Sequence, residues 1–318
     1  MDNIAALAAG GGFSLIETHI SWVLLGEKVV YKVKKPVSFS FLDFSTLEKR
    51  RFFCEEEVRL NRRLAQDVYL GVVPLYLDHG RLSFEGSGEI AEYAVKMKRL
   101  PEGRMMDRML SLGTLEEKDV RRLAGVVADF HMKEKPAGGE YNSPEMIASQ
   151  IADLSLHRDT IEKASGLGKW VDGILSRSAM FIRRNGALLR RRMEGGMVRD
   201  CHGDLHSANV FFEDGIKVVD CIEFSRDFRC IDVASDVAFM AMDLDYAGRE
   251  DLSSAFVEEY ISRTQDPELE TLLPFYKCYR ANVRAKISAI EWLQRTDDAA
   301  RQKMDRYVLL AESYAKRL

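Results

Sequence analysis

The sequence predicts an α+β protein with two lobes, a small antiparallel sheet lobe followed by a larger helical lobe. Short β-branched and aromatic runs separated by turn-sized segments dominate residues 13–100, which is typical of antiparallel strands. After Pro101-Glu-Gly103, apolar residues recur mostly at helical spacing. We therefore expect the first lobe over residues 1–100 and the second over residues 101–318, hinged near Pro101.

The composition is compatible with this architecture and excludes several classes of protein. The chain has 318 residues, 46% of them hydrophobic, and a formal net charge of -4, which gives no reason to expect tight nucleic-acid binding. Its five cysteines lack paired Cys-x-x-Cys spacing, which argues against a disulfide framework and a structural zinc site. No basic n-region opens the chain, and no apolar stretch approaches about 18 residues. We expect a reduced, cytoplasmic protein that does not span a membrane.

In the first lobe, five strands and one long helix are predicted. Ser45-Thr-Leu-Glu48 fits a capping box that begins a helix reaching about Ala65. Gly10-Gly-Gly12, before the first strand, is interpreted as a flexible leader. The strands are expected at Phe13–Glu17, Trp22–Leu25, Val29–Val33, Val72–Leu77 and Ala91–Leu100.

The second lobe is predicted to be helical with one exception. Thr114-Leu-Glu-Glu117 fits another capping box, for a helix that ends near Met132. Val198–Val219 has short apolar runs around polar turns, which indicates strands. Further helices are expected over residues 144–163, 169–193, 232–241, 251–263 and 274–318.

The segment over residues 201–224, CHGDLHSANVFFEDGIKVVDCIEF, has the residues that phosphoryl transfer requires. His202-Gly-Asp204 is followed by Asn209 and then by a predicted hairpin, with its turn at Asp214-Gly215, that ends in Asp220. Phosphoryl transfer needs magnesium on the phosphate oxygens and a carboxylate that orients and deprotonates the acceptor hydroxyl. The H-x-D-x-x-x-x-N spacing matches the catalytic loop of protein kinases. If Asp204 and Asp220 were only unrelated turn residues, the triplet, the Asn spacing and the hairpin would all have to coincide by chance.

This HGDLHxxN segment resembles the aminoglycoside phosphotransferase and choline kinase branch of the protein-kinase-like superfamily. Four N-terminal segments also resemble an uncharacterised bacterial aminoglycoside phosphotransferase-like group, in which a P-loop ATPase domain often follows the kinase-like part. These segments are Thr18–Leu25, Tyr31–Val37, Phe41–Glu48 and Glu57–Ala65. The resemblance implies a protein-kinase-like bilobal fold and an acceptor-binding helical insertion at about residues 133–199. It also implies an ATP- and Mg²⁺-dependent kinase that phosphorylates a hydroxyl of an unidentified small molecule or RNA, with a separate P-loop ATPase as a candidate partner.

Carried over residue by residue, the resemblance assigns roles within the catalytic segment. Asp204 would be the catalytic base or the carboxylate that orients the acceptor, and His202 would support the loop through hydrogen bonds. Asn209 and Asp220 would be the magnesium ligands.

Other residues near this loop have less specific expectations. His206 is equally compatible with a cap and with a contact to acceptor or phosphate, and Ser207-Ala208 replaces the Pro-Gly that is more common in the family. Asp236 resembles the family residue that supports the loop from behind, although an N-cap role for Asp232 is equally favoured. For Glu223, an ordinary surface position is favoured over a contact to metal or acceptor.

The first lobe should hold the nucleotide. Lys32 and Lys34 share one face of the third strand because side chains alternate along a strand. By comparison with the V-A-I-K pattern, Lys32 is preferred as the phosphate-binding lysine and Lys34 is the alternative. The anionic partner of the phosphate-binding lysine is expected on the following helix. Glu57 is preferred and Glu56 is the alternative, since neighbouring residues of a helix point about 100° apart and only one can face the lysine.

No glycine-rich loop lies between the first two strands. The hydroxyls of Thr18 and Ser21, with backbone N–H groups, are expected to meet the phosphates instead. The hinge, Met97-Lys-Arg-Leu100, is expected to offer backbone hydrogen bonds to adenine.

The helix before the catalytic segment is rich in arginine, and Arg199 follows it. A solvated basic face is the simpler interpretation, and an anionic acceptor or an RNA backbone is the alternative. The arginines of the helix are Arg183, Arg184, Arg190, Arg191 and Arg192.

A second function is compatible with the missing glycine loop: a pseudokinase-like regulatory or partner-binding module that binds nucleotide without chemistry.

Overall fold

The computed structural model describes residues 2–39 and 41–318, which form two compact units. The first contains the residues up to Arg108 together with Asn209–Arg226, and the second contains Met109–Ala208 and Asp227–Leu318. The first carries the main antiparallel sheet and the second carries most of the helices, which confirms the predicted α+β fold. The hairpin segment belongs to the sheet-bearing unit, whereas the prediction divided the chain in sequence order.

The first unit is built on a six-stranded antiparallel sheet with the strand order β1-β2-β3-β8-β6-β7. Helix α2 packs on β6 and β8 through Cys54, Val58, Tyr69 and Val95. A small hairpin of β4 and β5 lies between β3 and α2. The elements are α1 Asp2–Gly10, β1 Ser14–Glu17, β2 Ser21–Leu25, β3 Val29–Lys34, β4 Ser38–Phe39, β5 Leu42–Asp43, α2 Leu47–Asn61, β6 Tyr69–Asp78, β7 Arg81–Ser83 and β8 Glu89–Lys98.

Helix α2 begins one residue later than the predicted capping box. Its N-cap is Thr46, whose side chain accepts a hydrogen bond from the Lys49 N–H at 3.3 Å. The helix ends at Asn61, and the chain continues in turns to the predicted end at Ala65. The predicted helix is therefore confirmed with shifted ends.

The prediction of a flexible leader at the glycine run is wrong. Residues before it form α1, and the N–H of Phe13 donates to the carbonyl of Ala8 at 2.9 Å. Gly12 has a φ of +68°, the left-handed conformation that ends many helices and that glycine adopts without a Cβ clash. The run is a helix C-cap.

Helices dominate the second unit. The capping box of α4 is formed by Glu116 and Asp119 rather than by the predicted Thr114 and Glu117. A short 3-10 turn, Asp153–His157, divides the helix predicted over residues 144–163. The remaining elements are α3 Met106–Ser111, α4 Glu117–Lys133, α5 Pro144–Ala152, α6 Arg158–Ser165, α7 Gly168–Glu194, β9 Val198–Asp200, β10 Val210–Phe212, β11 Ile216–Val218, α8 Arg226–Arg229, β12 Cys230–Asp232, α9 Val233–Tyr246, α10 Glu250–Thr264, α11 Glu268–Arg295 and α12 Asp298–Ala315.

The core of this unit lies among α7, α9, α11 and α12. Ala281, Ala285 and Ala289 recur every four residues on α11, and these buried side chains belong to the same core cluster as residues of α7, α9 and α12. Most residues of α9 are buried, as expected for a helix with neighbours on several sides. Over the described residues, no helix has both the length and the apolar character needed to cross a bilayer.

Candidate active site

A tight hairpin brings the two predicted magnesium ligands to one place. Strands β10 and β11 pair through a three-residue loop, in which Asp214 and Gly215 have positive φ values of 45° and 101° that these residue types tolerate. The N–H of Val219 donates to the carbonyl of Asn209 at 2.9 Å. Asn209 and Asp220 therefore lie at the same end of the hairpin, within the first unit.

Asp220 has an unusual backbone that its neighbours stabilise. Its φ of +63° is in the left-handed region, which is strained for a residue other than glycine. Its N–H donates to the Tyr69 hydroxyl at 3.0 Å, and the next N–H, of Cys221, donates to Asn61 Oδ1 at 2.8 Å. These two hydrogen bonds tie the residue to β6 and α2, while its side chain remains 50% exposed.

Both lysines of β3 pair with the same carboxylate. Lys32 Nζ lies 3.0 Å from Glu57 Oε1, and Lys34 Nζ lies 2.7 Å from Glu57 Oε2. Lys32 also contacts Asp220 Oδ1 at 2.5 Å. Of the two candidate glutamates, Glu57 is the one beside the lysines, whereas Glu56 pairs with Arg59 on its own helix at 2.7 Å.

The electrostatics of this cluster keep Lys32 and Glu57 charged at neutral pH. Burial alone would lower the pKa of Lys32, but the carboxylates of Asp220 and Glu57 raise it well above its ordinary value. Burial alone would raise the pKa of Glu57, but Lys32 and Lys34 lower it to about 2. The phosphate-binding candidate Lys32 is therefore a firmly protonated cation.

Glu223 is not the surface residue that the sequence favoured. It is buried, and its carboxylate contacts Lys34 Nζ. Burial raises the pKa of Glu223, with the charge of Lys34 opposing this effect. Its place three residues after Asp220 gave no sequence indication of a partner 189 positions away.

In the second unit, the loop after β9 is held from two helices. The N–H groups of His202 and Gly203 donate to the two carboxylate oxygens of Asp236, at 3.0 and 2.9 Å. Arg280 of α11 donates to the carbonyl of Gly203 at 3.0 Å. The φ of +83° at Gly203 gives a physical reason for glycine in the middle of the triplet. Asp236 thus supports the loop, and Asp232 caps α9 by accepting from the Ala234 N–H, so both roles weighed for this helix occur.

Asp204 lies beside histidine within this loop. Its N–H donates to His202 Nδ1 at 3.3 Å, and its Oδ2 lies 3.3 Å from His206 Nε2. Burial opposes ionisation, but His206 and then Arg284 lower the pKa of Asp204 below its ordinary value. Burial likewise opposes the charge of His206, and Asp204 raises the pKa of this imidazole. The two groups form a mostly buried Asp–His pair, a role for His206 that the sequence did not indicate.

Ser207, which stands where the family more often has proline, forms two hydrogen bonds that hold the loop. Its N–H donates to Asp243 Oδ2 at 2.8 Å, and its hydroxyl donates to the same oxygen. The loop is thus attached to α9 a second time, through Asp243, before the chain reaches Asn209.

The structure does not direct the hydroxyl of Ser21 toward a ligand. Thr18 Oγ1 accepts from the Ser21 N–H at 3.0 Å within the β1–β2 turn, and Ser21 is fully buried. Within the described part of the chain, Ser21 Oγ has no hydrogen-bond partner. At the hinge, the N–H groups of Lys98 and Arg99 donate within the unit, while no acceptor for the Leu100 N–H occurs among the described residues. Met97 pairs with Val30 across β3 and β8.

The arginine-rich helix presents less free charge than its sequence indicates. Arg192 is buried and pairs with Asp232 at 2.7 Å and with Asp266 at 2.7 Å, so its guanidinium cannot meet an acceptor. The prediction of an acceptor contact by this residue is wrong. Arg191 pairs with Glu268 at 2.5 Å, and Arg190 pairs with Glu145. The two that remain exposed without an ion pair in the described structure are Arg183 and Arg184.

Comparison with known proteins identifies the family. The sequence model of the phosphotransferase enzyme family matches residues 53–275, a range that includes Glu57, Asp204, Asn209 and Asp220. The chain belongs to the phosphotransferase enzyme family. This membership confirms the predicted resemblance to the aminoglycoside phosphotransferase and choline kinase branch, and with it the prediction of a kinase-like enzyme family.

Relatives of this phosphotransferase-family chain are longer than the matched region. Uncharacterized proteins of Mycobacterium tuberculosis and Mycobacterium bovis are 32% identical over 305 residues, which cover 94% of this chain. The chain spans 59% of their length.

Solved structures share the fold. An ethanolamine kinase of Plasmodium vivax has a TM-score of 0.53 and 12% identity, over 94% of this chain and 81% of that one. A choline/ethanolamine kinase family protein from Mesorhizobium loti has a TM-score of 0.52 and 12% identity, over 95% and 87%. A thermostable mutant of aminoglycoside phosphotransferase APH(4)-Ia has a TM-score of 0.51 and 14% identity, over 93% and 94%. These likenesses confirm the protein-kinase-like fold of this family member.

Proposed function

We propose that this protein is an ATP- and Mg²⁺-dependent kinase that transfers the γ-phosphoryl group to a hydroxyl of an acceptor. The observation that carries the proposal is the Lys32–Glu57 ion pair with Asp220 beside it, in the same unit as Asn209. Such a lysine binds phosphate oxygens, and a buried glutamate keeps it in place. The APH(4)-Ia fold neighbour has a ternary complex with AMP-PNP and hygromycin B, which supports the use of a nucleoside triphosphate.

The donor set at the hairpin fits magnesium. Asn209 and Asp220 offer amide and carboxylate oxygens, the ligands that this hard cation prefers. When bound, Mg²⁺ would neutralise phosphate charge that Lys32 alone does not balance. Since Asp220 contacts Lys32 while half of its side chain is exposed, it can share its two oxygens between lysine and metal.

Asp204 is the proposed acceptor-binding carboxylate. Its low pKa makes it a weak base but keeps it ionised, so it can accept a hydrogen bond from the acceptor hydroxyl. A loose phosphoryl-transfer transition state needs little early deprotonation, and orientation of the hydroxyl is the larger contribution. His206 lies 3.3 Å from this carboxylate and helps to lower its pKa. His202 supports the loop, because its Nδ1 accepts a hydrogen bond from the Asp204 N–H.

The acceptor class is proposed from three arginines that form no ion pair within the described part of the chain. Arg183 and Arg184 are exposed. Arg284 lies near Asp204, donates from Nε to the Tyr307 hydroxyl at 3.4 Å and stacks on the Tyr307 ring. These cations favour an acceptor with an anionic group, a nucleotide or RNA included, over a cationic drug. A separate P-loop ATPase partner and a cytoplasmic location remain parts of the same proposal.

A screen for ADP release tests the proposal. Sugars, sugar phosphates, amino alcohols, nucleosides and tRNA are offered with Mg-ATP, and the wild type is compared with Asp204→Ala. We expect turnover to fall by about 10²–10⁴-fold, the usual contribution of a positioned acid–base group, with nucleotide binding retained. Asp227→Ala, an exposed aspartate of the same unit, is the matched control. Unchanged turnover in Asp204→Ala would rule out the assigned role.

The alternative is a nucleotide-binding regulatory module, and a specific observation favours it. The β1–β2 turn satisfies its own hydrogen bonds through Thr18, and Ser21 is buried, so this turn offers few groups to phosphates. Such a module would bind Mg-ATP without acceptor-stimulated ADP release across the whole panel. Release with any one acceptor decides for the kinase.

A further inference from the structure

Five charged side chains of the first unit form one alternating chain. Asp220 contacts Lys32, Lys32 pairs with Glu57, Glu57 pairs with Lys34, and Lys34 contacts Glu223. Both ends of this chain belong to the same short segment after β11. The segment from 220 to 223 is therefore attached at its two ends to β3 and, through Glu57, to α2.

Lys34 cannot contact a bound ligand directly. Its side chain is 0% exposed, its Nζ lies against the carboxylates of Glu57 and Glu223, and the Phe44 ring lies 4.9 Å from the same atom. Without Lys34, Lys32 would be the only cation in this chain of charges facing three carboxylates. Lys34 instead balances two buried acids and joins them.

The attachment by Glu223 complements the hydrogen bonds at the other end of the segment. Tyr69 and Asn61 bind the backbone of Asp220 and Cys221, but they do not fix the residues that follow. A left-handed residue such as Asp220 persists only where its surroundings over-determine its conformation. The contact of Glu223 with Lys34 adds a restraint three residues later.

We propose that Lys34 and Glu223 are positioning residues that hold the segment so that the Asp220 carboxylate is aimed for metal binding beside Lys32. The proposal rests on the proposed kinase function, because it assigns Asp220 to the metal. It predicts that Glu223 acts on the metal-dependent part of nucleotide binding and leaves the part due to Lys32 in place.

Charge balance decides which variant to use. Glu223→Ala leaves two acids and two lysines in this chain of charges, which then balance, so the fold should survive. Lys34→Met leaves three acids with one lysine, and its failure to fold would be uninformative. Glu223→Gln retains an oxygen that can accept from Lys34 and serves as the conservative variant. Glu55→Ala, which breaks the exposed pair with Arg51, is the control.

The experiment measures ATP affinity by calorimetry with and without Mn²⁺ in wild type and variants. For Glu223→Ala we expect the apparent Mn²⁺ affinity of the ATP complex to fall by about 10-fold, the lower range for residues that orient metal ligands. We expect the metal-free ATP affinity to stay within about twofold, Glu223→Gln to recover part of the loss, and Asp220→Asn to lose the metal effect. Hydrogen exchange should accelerate in residues 219–225 and not in α4.

Each outcome decides between the two proposals. Equal losses with and without Mn²⁺, or no loss in Glu223→Ala, would overturn the positioning role while the kinase proposal stands. A wild type whose ATP binding does not respond to Mn²⁺ would overturn the proposed function itself, and the positioning role with it.

Discussion

Glu57 shows how burial and charge together set the behaviour of one residue. Its side chain is 0% exposed, which by itself would favour the neutral acid. Two lysines, one on each oxygen, reverse this preference. The consequence is a charged carboxylate that holds Lys32 in place, as the proposed phosphate binding requires.

Glu57 should therefore make stability depend on pH. Its pKa of about 2 in the folded protein lies below the ordinary 4.5, so it contributes stability above pH 4.5 that is lost as the pH falls toward 2. The difference corresponds to about 3 kcal/mol of unfolding free energy. Urea unfolding at pH 7 and pH 3 should show a smaller loss in Glu57→Gln than in wild type. Equal losses would contradict the assignment, and Glu55→Gln is the exposed control.

At the scale of elements, one buried arginine joins three parts of the second unit. Arg192 at the end of α7 pairs with Asp232, which begins α9, and with Asp266, which precedes α11. The guanidinium geometry allows a two-pronged hydrogen bond to each carboxylate. The arginine-rich stretch of α7 is thus partly a structural joint rather than a uniform basic surface.

Substitutions on α7 should separate the joint from the surface. Arg192→Met leaves Asp232 and Asp266 buried without a counter-charge, and we expect a loss of about 3–5 kcal/mol of unfolding free energy. Arg183→Met, at an exposed position on the same helix, should change stability by less than about 0.5 kcal/mol. Urea unfolding measures both. A stable Arg192→Met variant that lost only acceptor binding would restore the original interpretation of this residue.

At the scale of the whole molecule, the hairpin segment Asn209–Arg226 belongs to the sheet-bearing unit, although it follows the catalytic loop in sequence. The candidate metal ligands therefore share a unit with Lys32 and Glu57, while Asp204 belongs to the other. In the proposed reaction, the first unit contributes the groups for nucleotide and metal, and the second contributes the group for the acceptor.

Nucleotide binding should raise the stability of the protein by mass action. With ATP at 100 times its dissociation constant, the unfolding free energy should rise by about 2.7 kcal/mol. Thermal unfolding should show a larger shift with Mg²⁺ present than without it, and Asp220→Asn should lose only this difference. No shift under either condition would contradict nucleotide binding, and Asp227→Asn is the matched control.

The prediction from sequence was most successful where the pattern is local. Strand alternation placed Lys32 and Lys34 on one face of β3, and the Asp-Gly turn fixed the hairpin that brings Asn209 next to the Asp220 segment. Helix ends were less accurate, because several residues near each end can cap equally well, as at Thr46. The glycine run was misread, since the same residues suit a flexible leader and a helix C-cap.

By itself, the sequence determined the α+β class, the spacing of Asp204, Asn209 and Asp220, and the family resemblance. These depend on neighbours a few residues apart, whose geometry is fixed by strand and helix periods. Only the tertiary structure decided that Glu57 is shared by two lysines, that Glu223 is buried on Lys34, and that Arg192 is buried. The physical reason is that burial and ion pairing follow from which distant segments meet, and a charged residue looks the same in sequence whether water or a counter-charge surrounds it.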